Sequence, residues 1–130
     1  MKTVKLQTDA RLQMVDVTGQ IRKIVKESGV MSGLCFVFCP HTTGGVTLNE
    51  NTDENVRKDF MQALAAAVPK DGPYVHAEGN SDAHVKASLV GSSVQVLVEN
   101  GKLVLGQWQA IYFCEFDGPR SRNLVVSVQS

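Results

Sequence analysis

Three histidines, His41, His76 and His84, are all the histidines in this 130-residue chain. Neutral imidazoles are zinc ligands, and a site with three protein ligands keeps a fourth position open for water or substrate. No HExxH or CxxC spacing accompanies them, so two readings stand side by side: three donors converging from separate elements, or three unrelated polar side chains. His41 opens the densest polar stretch, HTTGGVTLNENTDENVRKD, at 41–59. Thr42 and Thr43 offer hydroxyls there. Asn49 follows apolar Leu48 at a strand end and needs hydrogen-bond partners if buried. Asp53 is either a substrate-positioning carboxylate or ordinary helix-start charge. Further on, Gly106-Gln107-Trp108-Gln109 interrupts a strand pattern. Trp108 reads as a core or interface aromatic, with Gly106, Gln107 and Gln109 bordering a pocket as the alternative. Arg120-Ser121-Arg122 follows a DGP turn. It is either a phosphate- or carboxylate-binding pair or a solvated turn.

These residues need a scaffold, and hydrophobic periodicity supplies one. Alternation predicts strands over 3–8, 12–17, 43–49, 93–100, 109–116 and 122–128, and the apolar run LCFVFC predicts a buried strand at 34–39. Thr18 as N-cap and Gly29 as C′ residue bracket a helix over 19–28. Thr52 or Asp53 caps a second helix to about Val68, with Val56, Phe60, Leu64 and Val68 as its core stripe. Pro69 stops it. Residues 69–81 form a long loop carrying His76, and a short helix over 82–90 carries His84. Asn100-Gly101 predicts a type I′ hairpin whose return strand begins at Lys102. Gly44-Gly45 marks a bulge or a close backbone approach. One domain over 1–130 follows, α+β, a mostly antiparallel sandwich with helices packed outside.

Composition narrows the function. Lys and Arg total 13, as do Asp and Glu, and aromatics are 6%. A neutral chain without a basic stripe argues against nucleic-acid binding. Near-zero charge is compatible with burial of surface in an oligomer. No signal-like N-terminus and no apolar run near 20 residues is visible, which predicts neither export nor a membrane span. Cys35, Cys39 and Cys114 are an odd number in apolar surroundings. They read as buried, inert thiols in a reducing cytoplasm.

The segments HTTGGVTLNENTDENVRKD, YVHAEGNSDAHVKASLVGSS and GKLVLGQWQAIYFCEFDGPRSR resemble the YjbQ family over nearly the whole chain. The pattern S-x(2)-V-x-V-x(2)-G-x(4)-G-x-W-Q at Ser93, Val96, Val98, Gly101, Gly106, Trp108 and Gln109 strengthens the likeness. The resemblance implies a seven-stranded β-sandwich with helices, assembled as a homotrimer. It implies a secondary thiamine-phosphate-synthase-like transferase activity, joining hydroxymethylpyrimidine diphosphate to thiazole phosphate. It also implies a metal held at His41, His76 and His84, zinc or a similar divalent ion.

The combined expectation is a phosphorylated small-molecule substrate in a pocket between subunits. Thr42, Thr43, Gln107, Arg120, Ser121 and Arg122 would contact substrate, and Asn49, Asp53 and Glu115 would position it or stabilise charge. The alternatives are a metal-dependent phosphate-ester hydrolase and a non-enzymatic trimer that binds a small molecule or metal.

Overall fold

The computed structural model describes residues 1–130. The elements in order are β1 (Lys2–Gln7), β2 (Gln13–Asp16), α1 (Thr18–Ser28), β3 (Ser32–Phe38), β4 (Gly44–Glu50), α2 (Glu54–Ala67), α3 (Ser81–Val90), β5 (Ser93–Glu99), β6 (Lys102–Leu103), β7 (Gln109–Glu115) and β8 (Ser121–Gln129). The strands form a five-stranded sheet, β1-β8-β3-β5-β6, and a three-stranded sheet, β2-β7-β4. Every pairing is antiparallel. The α+β architecture follows the hydrophobic pattern. There are eight strands where the resemblance implies seven, and the shortest, the hairpin return β6, pairs over only two residues.

The two sheets share one core. Inward residues of the five-stranded sheet (Cys35, Val37, Val96, Val98, Leu124, Val126) meet Val46, Ile111 and Phe113 of the smaller sheet. Ile21 and Val25 of α1 join the same cluster. The opposite face of the small sheet offers Ala110, Tyr112 and Cys114 to Ala83 and Ala87 of α3, with Phe60, Met61 and Leu64 of α2 beside them. β7 therefore has a buried side chain at every position from Ala110 to Glu115, as a strand covered on both faces must.

Local chemistry sets the helix ends. Asp53 caps α2, its carboxylate accepting from the Asn55 N–H at 2.9 Å. Val17, not Thr18, is the N-cap of α1. The Thr18 hydroxyl is used elsewhere, accepting from the Ile111 N–H at 2.8 Å. Asn100 and Gly101 take φ of 53° and 74°, the left-handed pair a type I′ turn requires.

Two of the connections between the sheets matter for the site. Residues 39–43 carry the chain from β3 into β4, and residues 116–120 carry it back from β7 into β8. The crossings lie side by side. The Phe116 N–H donates to the Thr43 carbonyl at 3.2 Å, and the Cys39 N–H donates to the Ser92 carbonyl at 2.7 Å. Pro40 has no amide hydrogen to continue a ladder, and β3 ends at Phe38.

Candidate functional site

His41, Thr42 and Thr43 ride on the first crossing. A cleft of about 510 Å³ opens beside them, lined by His41, Thr42, Gly44, His84, Ala87, Ser88, Gly91 and Ser92. His84, Ala87 and Ser88 of α3 lie on one helical face, and Gly91 caps the end of that helix. Gly45 brings the end of that helix close. A Cβ there would stand 2.7 Å from the Gly91 carbonyl oxygen, and that carbonyl accepts from the Val46 N–H at 3.1 Å. The Gly44-Gly45 pair is thus a site of close backbone approach.

The half-buried His41 ring meets the edge of Phe113 at 6.4 Å between centroids. Its Nε2 accepts from the Asn123 backbone N–H at 2.9 Å. An acceptor Nε2 places the neutral ring's proton on Nδ1. Burial, and then the Arg122 charge, hold His41 below the ordinary histidine range.

Behind the cleft lies a buried ionic network. Arg122 Nε donates to Glu115 Oε1 at 2.9 Å, its Nη2 pairs with Oε2, and Nη2 also donates to the Thr43 hydroxyl at 2.8 Å. Glu115 accepts further from the Thr8 hydroxyl at 2.7 Å and from the Phe116 and Asp117 N–H groups at 3.1 and 3.2 Å. Burial alone pushes the Glu115 carboxyl up, but the bonds from Arg122 and Thr8 outweigh it and hold the group below its ordinary value. Arg122 and Glu115 have 5% and 0% side-chain exposure. Both are committed to tying β7, β8 and the first crossing together, which corrects the expectation that Arg122 meets a ligand phosphate and that Glu115 faces substrate.

The other expected residues scatter. Arg120 pairs with Asp117 at 3.1 Å on the surface, and the Ser121 hydroxyl donates to Gln7 Oε1 at 2.8 Å. Asn49 Oδ1 accepts from the Glu50 N–H at 2.8 Å, and Asp53 serves as the helix cap. Gln107 and Trp108 are exposed. Trp108 is not a core residue: it is 53% exposed, while its backbone carbonyl accepts from the Asn51 N–H at 3.0 Å. The four stripe residues of α2 are only half-buried.

His84 borders the His41 cleft and a second one lined by Pro73, Tyr74, Val75, His76, Ser81 and Val85. The rings of His76 and His84 meet edge to face at 5.5 Å. Even so, no three His, Cys, Asp or Glu side chains are grouped to hold a metal ion. With the Nε2 lone pair of His41 already engaged, this donor set does not fit the expected three-histidine centre.

Periodicity missed a second buried cluster. Asp82, with no side-chain exposure, accepts from Lys86 at 2.7 Å and from Arg11 at 2.9 Å. The i, i+4 spacing of Asp82 and Lys86 was the available signal, but such pairs ordinarily lie in solvent. Nearby Asn80 donates through Nδ2 to Asp117 at 2.8 Å. The three cysteines are free and buried. Burial raises Cys35 to about 11 and, with the charge of Cys39, Cys114 to about 12. No helix is long and apolar enough to cross a membrane.

Against known proteins, residues 2–130 match the family described as UPF0047 protein YjbQ-like. The UPF0047 protein YugU of Bacillus subtilis is 45% identical over 129 residues, 98% of each chain. The UPF0047 protein MJ1081 of Methanocaldococcus jannaschii is 44% identical over 95% of this chain and 90% of its own. A crystal structure of a YjbQ/UPF0047 protein from Clostridium acetobutylicum superposes with a TM-score of 0.98 at 52% identity, covering 99% of this chain and 100% of its own. A YbjQ-like protein from Sulfolobus solfataricus, described as of unknown function, superposes at 0.94 with 30% identity, covering 98% and 94%.

The Bacillus, Methanocaldococcus and Clostridium relatives bear the UPF0047 designation, the Sulfolobus protein is described as YbjQ-like, and none carries a synthase name. Together with the missing three-donor group, this overturns the expectation of a thiamine-phosphate-synthase-like transferase with a histidine-bound metal. The hydrolase alternative and the metal-binding form of the trimer relied on the same missing donor group. Full-length sequence and fold agreement leave one assignment: the chain belongs to the UPF0047 family of YjbQ-like proteins.

Proposed function

We propose that the cleft beside His41 binds the phosphate end of a small phosphorylated molecule through neutral hydrogen-bond donors. The observation that carries this reading is the lining itself: two imidazoles, the hydroxyls of Thr42, Ser88 and Ser92, two glycines, one alanine and no carboxylate. Each of those polar side chains can donate to a phosphoryl oxygen, and no fixed negative charge repels one. The volume suits a small metabolite.

The reading is tested by titrating glycerol 3-phosphate and glycerol into the protein in a calorimeter. The phosphate ester should bind saturably and glycerol should not. Thr42→Val and His84→Ala should each weaken binding about fivefold, the loss of roughly one net hydrogen bond. Equal heats from both titrants, or unchanged affinity in both variants, would sink the proposal.

We further propose that the protein is a homotrimer with the cleft near the subunit interface. Cys35 and Val37 face the core, so Leu34, Phe36 and Phe38 point out of the large sheet, beside Leu97 of β5 and Val125 of β8. Asn123, the partner of His41, shares that outer face with Val125. An apolar sheet face of this kind favours coverage by another copy. Light scattering should give three times the 14.1 kDa chain mass, and Phe36→Asp should give monomers. A monomeric wild type at micromolar concentration would end this part of the reading. The three buried free thiols fit the reducing cytoplasm.

A further inference from the structure

The largest cavity lies away from the His41 cleft, at the other end of the sandwich. It measures about 670 Å³ and is lined by Arg22, Val25, Lys26, Gly29, Val30, Met31, Asn100, Gly101, Lys102 and Leu103. Its walls are the last turns of α1, the 29–31 connection and the β5–β6 hairpin. Gly101 closes the corner, its N–H donating to the Met31 carbonyl at 3.0 Å. The apolar floor is continuous with the main core, where Val25 is buried and Val30 and Leu103 pack against it.

The rim is charged with one sign. Arg22, Lys26 and Lys102 line the cavity, none of them enters an ion pair, and no Asp or Glu lines it. In a chain with 13 basic and 13 acidic residues, three unpaired cations around one cavity are a local excess. They outweigh the partial negative charge at the end of α1, which amounts to about half an elementary charge.

We propose that this cavity is a binding site for a small amphipathic anion, an acyl-type apolar body with a single carboxylate head. The floor takes the apolar body out of water. Arg22, Lys26 and Lys102 hold the head at the mouth, where both charge and long flexible stems suit a solvent-facing carboxylate. Charge complementarity excludes cationic amphiphiles, and the apolar floor gives no advantage to a bare anion. The volume lies within the range of small-molecule sites.

The test uses the full chain and decanoate as probe, with decanol and decyltrimethylammonium as matched controls, followed by calorimetry and amide chemical shifts. Saturable one-to-one binding of decanoate is expected, with the shifts centred on Val30, Met31 and Gly101. Decanol should bind at least tenfold more weakly and the cation not measurably. Arg22→Ala and Lys102→Ala, both at exposed positions, should each weaken decanoate at least fivefold and leave the fold intact. Glycerol 3-phosphate binding in the His41 cleft should be unchanged in the same variants. Equal binding of decanoate and decanol, shifts centred on another face, or no saturation at millimolar decanoate would each overturn the proposal.

Discussion

The backbone N–H of Asn123 donates to Nε2 of His41 at 2.9 Å, and this bond ties the start of β8 to the crossing that leads into β4. It settles the tautomer of the ring, since a nitrogen that accepts a hydrogen bond cannot carry the proton. The candidate site therefore presents His41 as a neutral donor. Its surroundings are set by two residues that never reach the cleft, Arg122 and Glu115.

For His41 itself, the prediction is spectroscopic. Nitrogen-detected NMR of the imidazoles should show a neutral ring protonated at Nδ1, titrating below the ordinary histidine value of about 6.5. Burial and Arg122 both disfavour the cation. A midpoint at or above that value would contradict the arrangement.

Breaking the Arg122–Glu115 pair should be costly. Arg122→Ala leaves a carboxylate buried without its main partner, and such losses typically amount to about 3–5 kcal/mol. Urea unfolding should show a lower midpoint with an unchanged slope. Arg122→Lys should recover little, because a lysine cannot reproduce the forked contacts to Glu115 and Thr43.

Acid should find the same weakness. Glu115 and Asp82 are both held below their ordinary values. Burial opposes this, but hydrogen bonds from Arg122 and Thr8 for Glu115, and from Lys86 and Arg11 for Asp82, overcome it. Depressed carboxyl values stabilise the fold fully above the unfolded values, about 4, and that contribution drains away as pH falls further. Stability measured from pH 7 to pH 2 should stay flat with respect to these two groups until about pH 5 and then fall steeply. Replacing Glu115 with Gln should flatten part of the acid limb.

Gly45→Ala should destabilise the protein by about 1–3 kcal/mol. The added methyl would press on the Gly91 carbonyl oxygen at 2.7 Å, a backbone atom that cannot swing aside. Gly19→Ala is the control, with nothing within 4 Å of its Cβ and a helical position, and should be neutral or slightly stabilising. Thermal melts of the two variants decide the comparison.

The cysteines should be silent in the native state. With Cys35 raised to about 11 and Cys114 to about 12, almost no thiolate exists at pH 7, and all three are buried. Reaction with a thiol reagent should proceed at the rate of unfolding. Rapid labelling of a folded sample would show that burial is incomplete.

Much of this molecule is legible from residues near one another in the chain. Alternation in VKL, the run LCFVF and the Asn100-Gly101 pair are local signals, and each predicted element exists within a few residues of its expected bounds. Asp53 and Gly29 mark helix ends for the same reason, since capping is satisfied within one turn. Gly44-Gly45 announces a close approach, though not which backbone arrives.

The site was decided by distance in sequence. Arg122 meets Glu115 seven residues away and Thr43 seventy-nine away, and only the crossing of two sheets brings those three together. By residue type Arg122 and Thr43 suit phosphate contact and Glu115 suits substrate positioning, but desolvation turns them toward one another: a buried guanidinium directs its donors to the nearest carboxylate and hydroxyl. The grouping of His84 with His41 in one cleft, and the convergence of Arg22, Lys26 and Lys102 on another, likewise depend on which elements pack side by side. Side-chain type and period set the elements. Burial and pairing across them set which of the polar residues remain free to meet a ligand.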